Sequence, residues 1–156
     1  MFEINTYILK KEIKKINGEK NQFCLCKDNG CLKYITDYQY INGMIEIRYY
    51  GEEILGAAQW DLVDQLWWYF IDAFISLKEQ DCVEFYFPDQ PLKVKMTDKN
   101  GKFIILEVGS KRYCLPKIPF IQVMLEEAKH FFTILDYRER LEKIDTLAED
   151  MIINIK

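Results

Sequence analysis

The chain predicts an α+β fold in which one antiparallel sheet carries a central amphipathic helix and two C-terminal helices. Three observations lead there. Period-two alternation of apolar and polar residues marks the first third and residues 82–115; a helical pattern holding all three tryptophans separates the two; and two further helical patterns follow Pro119. At 156 residues the whole chain, 1–156, matches a single domain large enough to bury a core without disulfides or metal.

In chain order, Phe2, Ile4 and Thr6 alternate with Glu3, Asn5 and Tyr7, and Phe23, Leu25 and Lys27 alternate with Cys24 and Cys26, which predicts strands. Asp28-Asn29-Gly30, lying between FCLC and CLKYI, offers the positive φ values of a tight hairpin turn. Lys10–Ile16 fits a strand or a helical turn. Gly43–Gly51 alternates Met44, Glu46 and Arg48 against Ile45, Ile47 and Tyr49, as a half-buried strand does. The central helix spans Gln59–Glu79, and its apolar arc, which includes Val63, Leu66, Trp67, Phe70, Ile71 and Phe74, covers more than half the circumference. An arc that wide predicts a helix held between the sheet and a second helix.

Four short strands follow at Cys82–Phe87, Leu92–Thr97, Phe103–Val108 and Arg112–Leu115, with a second hairpin turn at Asp98–Gly101. Proline on both sides of Asp89-Gln90 makes Pro88–Pro91 a rigid corner that presents the two residues at a sheet edge. Pro116 and Pro119 end the sheet and admit helices at Phe120–Leu135 and Arg138–Ile152.

Composition narrows the function classes. A net charge of −4 argues against nucleic acid, whose phosphates require clustered Lys and Arg. Five cysteines preclude a fully paired disulfide framework and fit a reducing cytoplasm, and the first residues lack a signal-peptide pattern. The most apolar stretch, 55–77, contains Asp61, Asp64 and Asp72, each costing roughly 2.5–3.5 kcal/mol at a bilayer centre, so no membrane span is expected.

No residue set announces chemistry. Cys24, Cys26 and Cys31 lack the paired spacing of a structural zinc site, and Cys82 and Cys114 fall on other strands, so inert thiols are the plainer reading. His130 is the only histidine and has no designated nucleophile to activate. Carboxylate pairs such as Asp61/Asp64 are too common in this chain to mark a glycosidase, and the glycines occur singly, with no phosphate cradle. No catalytic residue, metal ligand or cofactor is assigned, and no enzymatic activity is expected.

Charge is distributed unevenly. Residues 46–89 carry ten acids against Arg48 and Lys78, net −8, while the segments on either side are each +2. On the central helix a polar sector with Asp61, Gln65, Asp72, Ser76 and Glu79 is bordered by Trp68 and Tyr69. A solvated face is the plainer reading of such a sector; the sharper one is an acidic surface that docks a basic protein partner. Its contacts would be Asp61, Asp64, Trp68, Tyr69 and Asp72, with Glu84 and Asp89 in a second rank. Two alternatives stand beside it: a small-molecule or enzyme pocket between sheet and helix lined by Trp67, Phe70, Tyr86 and Cys114, and self-association through an exposed Trp68.

From about Trp60 to Leu135 the layout DLVDQLWWYFIDAF, EFYFPDQPLKVKM, hairpin, PFIQVMLEEAKHFFTIL resembles small bacterial proteins of the toxin-immunity type, with the FPDQP corner its most specific element. Residues before Gly56 fall outside the resemblance, and it assigns no contact position by position. It implies a cytosolic, non-enzymatic protein that binds one cognate toxin.

Overall fold

In a computed structural model, which describes residues 1–10 and 15–156, two antiparallel sheets and three α-helices surround a main hydrophobic core, with a smaller cluster on the other face of the first sheet. The ambiguous segment Lys10–Ile16 falls largely outside the described residues.

The first sheet has the order β2-β1-β3-β4, built from β1 (Phe2–Leu9), β2 (Phe23–Leu25), β3 (Asn42–Tyr49) and β4 (Glu52–Leu55), with the two-residue β5 (Asp61–Leu62) also on β3. β1 and β3 pair along almost their whole length, from Phe2 opposite Tyr49 to Ile8 opposite Gly43. That register puts Thr6, Ile8, Ile45 and Ile47 on the face toward the main core. Tyr7 and Met44 face the other way and are buried with Phe23 beneath Leu9, Ile16, Leu25, Ala57 and Trp60. A strand that alternates in sequence is therefore covered on both faces.

The second sheet runs in simple order through β6 (Cys82–Tyr86), β7 (Lys93–Lys99), β8 (Phe103–Val108) and β9 (Lys111–Pro116). Val94, Met96, Ile104, Leu106 and Leu115 point into the core, and Lys93 and Lys95 point out or lie half-buried. At the β7–β8 connection Asn100 (φ 59°) and Gly101 (φ 70°) adopt the left-handed conformation, and Asp98 Oδ1 accepts the Gly101 N–H at 2.7 Å. Two sheets take the place of the single sheet expected from the sequence.

Helices α1 (Val63–Ser76), α2 (Lys117–Leu135) and α3 (Arg138–Asp150) complete the fold. α1 packs on β3, on β6 and on α2; Phe70 meets Phe85 edge-on at 5.1 Å, and Phe74 meets Phe120 at 5.9 Å. α2 packs on β1, β8, β9 and α3. It begins one turn before Phe120, because Pro116 is the N-cap and Pro119 lies in the first turn, where no intrahelical N–H is required.

Two further elements differ from the sequence expectation. α1 starts at Val63 and not at Gln59, because Asp61 and Leu62 pair with Gly43 and Asn42 and the Val63 N–H bonds to the Ile41 carbonyl at 2.9 Å. Asp28–Gly30 does not turn a hairpin: Asp28 caps a 3-10 helix over Asn29–Tyr34, accepting the Gly30 N–H at 2.7 Å. The Asx side chain competed with the hairpin and won.

Candidate functional site

The acidic middle segment does not turn its charges outward together. Asp61 is buried, and its carboxylate accepts the Leu62 N–H at 2.6 Å and the Asp89 N–H at 3.0 and 3.2 Å. Gln90 donates its side-chain amide to the Trp60 carbonyl. The Pro88–Pro91 corner is thus tied to the residues leading into α1, and Asp61 is its internal anchor. Asp64 is also buried, with Arg140 Nη1 3.7 Å from Oδ2; burial pushes its carboxyl above the ordinary value, only partly offset by the Arg140 charge. Glu46 is buried and paired with Lys20 at 2.7 Å and Arg48 at 3.4 Å. As contacts for a partner, Asp61 and Asp64 are withdrawn by this burial.

Trp68 is half-buried, with Arg140 over its ring at 5.6 Å and Lys143 at 5.1 Å. Asp89 is exposed on the corner. The pocket imagined among Trp67, Phe70, Tyr86 and Cys114 does not assemble: Trp67 and Phe70 are fully buried core residues, whereas Tyr86 and Cys114 are exposed on strands at opposite ends of the second sheet.

Three of the expected contact residues, Tyr69, Asp72 and Glu84, do come together. They line an open groove of about 540 Å³ between α1 and β6. One wall is the helical face Tyr69, Asp72, Ala73, Ser76; the other is β6 itself, all five residues from Cys82 to Tyr86. Consecutive residues of a strand point to opposite faces, so a wall made of all five is the edge of the strand. β6 is the outermost strand of its sheet and pairs only with β7. The groove holds two carboxylates, Asp72 and Glu84, and no base among its lining residues. Lys93 approaches Glu84 at 3.4 Å, but both side chains are about half exposed, a pairing that contributes little and exchanges readily with another cation. Tyr86, 58% exposed, is the large apolar surface beside them. The alternation of β6 is legible in the sequence and sets Tyr86 with Cys82 and Glu84 on the outer face, which corrects its expected place in a pocket; the strand's position at an edge is not legible.

A second polar constellation lies across the molecule. Trp67 Nε1 donates to Thr6 Oγ1 at 3.0 Å, Thr6 Oγ1 donates to Glu127 Oε2 at 3.0 Å, Glu127 Oε1 is 2.9 Å from His130 Nδ1, and His130 Nε2 is 3.0 Å from the Lys27 carbonyl. The chain of bonds joins α1, β1, α2 and the segment after β2. Both ring nitrogens of His130 meet acceptors, an arrangement satisfied by the doubly protonated ring. Burial opposes that charge, but the Glu127 and Lys27 bonds outweigh it and raise the His130 pKa. Burial likewise raises the Glu127 carboxyl, with His130 and Thr6 pulling the other way. A raised folded pKa gives stability that is complete below the unfolded value of about 6.5 and is lost as pH rises through the folded value. The urea midpoint is therefore expected to fall across that window relative to a His130→Gln variant, whose profile is flatter. Parallel profiles would refute the assignment.

Cys26 and Cys31 are buried. Hydrogen bonding to Cys31, together with burial, holds the Cys26 thiol protonated well above its usual range, and Cys31 is lowered by accepting that bond. Among the described residues no three His, Cys, Asp or Glu side chains converge as a metal site would require, and no helix is long and apolar enough to cross a membrane. Compared with family models, curated proteins and solved structures, the chain matches none.

Proposed function

We propose that the protein is a non-enzymatic binding module that takes a basic protein partner in the groove between α1 and β6. The observation that carries this reading is the groove's composition: Asp72 and Glu84 with no lining base, flanked by Tyr69 and Tyr86 beside an unpaired strand edge. The carboxylates would steer encounter, and the tyrosines would supply apolar contact area. Asp89 stands exposed on the adjoining corner and extends the same negative potential. The sequence resemblance implies a cognate toxin as the partner, and the acidic groove favours a basic one.

The test uses two short blocked peptides, one alternating lysine with valine and one alternating glutamate with valine, titrated into the full chain by calorimetry. The lysine peptide is expected to bind and the glutamate peptide not. Replacing both Asp72 and Glu84 by their amides should weaken the lysine peptide on the order of tenfold and flatten its salt dependence. Equal binding of the two peptides, or an unchanged affinity in the double variant, would contradict the proposal.

A further inference from the structure

Resting on that reading of the groove, we infer that the basic segment enters as an added β-strand, antiparallel or parallel to β6, so that main-chain hydrogen bonds hold it and its side chains alternate between apolar and basic.

The backbone of β6 carries the inference. The Phe87 N–H bonds to the Leu92 carbonyl at 2.9 Å and the Asp98 N–H to the Asp81 carbonyl at 2.8 Å, so residues 81 and 87 direct their main-chain groups toward β7. With the period of two and the continuous register from Cys82 opposite Thr97 to Tyr86 opposite Lys93, Val83 and Phe85 do the same. Cys82, Glu84 and Tyr86 therefore turn their N–H and C=O groups away from β7, into the groove. Among the described residues no backbone bond from outside the sheet reaches them. Three donors and three acceptors in a row form a template for one more strand.

The side chains specify which strand fits. Cys82, Glu84 and Tyr86 are exposed on the outer face, whereas Val83 and Phe85 are half-buried toward α1, where Tyr69 meets Phe85 edge-on at 6.0 Å. An incoming strand would lay apolar side chains over Val83, Phe85 and Ala73, and basic ones beside Glu84 on the outer face. Asp72, at the rim of the helical wall, takes a further cation. A second copy of this chain is a poorer occupant. Antiparallel self-pairing centred on β6 sets Glu84 directly opposite its own copy, a like-charge pair that opposes association.

The experiment compares the lysine–valine peptide with the same sequence N-methylated at alternate residues, which removes the donors on one edge and keeps every charge and side chain. Calorimetry is paired with amide exchange by NMR on the full chain. The parent peptide should bind and slow exchange at Cys82, Glu84 and Tyr86, and methylation on the edge facing β6 should weaken binding on the order of tenfold or more. Equal affinity of methylated and parent peptides would overturn strand addition and leave the acidic groove standing. Failure of the parent peptide to bind would overturn the groove reading and the strand with it. Concentration-dependent dimerisation that protects the same three amides without peptide would assign the edge to a second copy and overturn the foreign strand.

Discussion

Trp67→Ala is expected to lower the unfolding free energy by about 3–5 kcal/mol, the largest effect of any single change considered for this fold. The indole is fully buried at the middle of α1, 6.5 Å from the Phe70 ring. Truncation opens a cavity in a core where α1, both sheets and α2 meet, and the neighbouring backbone elements are too mutually braced to collapse into it. It also leaves Thr6 Oγ1 without the donor that orients it toward Glu127. In urea titrations the midpoint should move down with an unchanged slope. Trp67→Phe, which keeps one six-membered ring but removes the N–H and the rest of the five-membered ring, should cost less than alanine, about 1–3 kcal/mol. Equal losses in the two variants would mean that the Thr6 hydrogen bond and the five-membered ring, and not the packing of the remaining ring, carry the stability.

Asp61→Ala should cost about 2 kcal/mol, because the part-buried N–H groups of Leu62 and Asp89 lose a charged acceptor. Asp61→Asn keeps one oxygen in place and should recover part of that loss. The accompanying signature is local: the Pro88–Pro91 corner, held to the residues leading into α1 through Asp61 and through Gln90 on the Trp60 carbonyl, should show shifted amide resonances at 89 and 90 while β8 and β9 stay unchanged. An Asp61→Ala variant with full stability would show that the corner is held by its prolines alone. The sequence placed Asp61 on a docking surface, and the same substitution would then have altered association without altering stability.

The difference between those two outcomes shows what the sequence could and could not reveal. Helix α1 was legible because its apolar residues recur over more than half the circumference, and the β7–β8 hairpin because Asn100 and Gly101 suit positive φ. Strands β1 and β3 were legible from their alternation, but their pairing with each other was not. The first turn assigned to α1 was not legible, since Asp61 and Leu62 are drawn into β5 by a strand about twenty positions earlier in the chain. The division into two sheets was equally hidden, because period-two patterning reveals strands and not their neighbours.

The candidate site divides in the same way. Charge counting found the acidic segment, but a linear sum cannot separate Asp72 and Glu84, which face the groove, from Asp61, Asp64 and Glu46, which are folded inside against backbone, Arg140 and Lys20. Tyr69 was expected at the border of a recognition surface and lies on the groove. The edge of β6 gave no sequence signal, since an edge strand and a central strand with one wet face alternate alike.

The most direct measurement is amide hydrogen exchange along β6 in the free protein. If the strand presents one unpaired edge to the groove, the amides of Cys82, Glu84 and Tyr86 should exchange at least roughly a hundredfold faster than those of Val83, Phe85 and Phe87, which bond to β7. Uniform protection along the six residues would mean that the edge is already occupied, and the groove would then have no strand to receive.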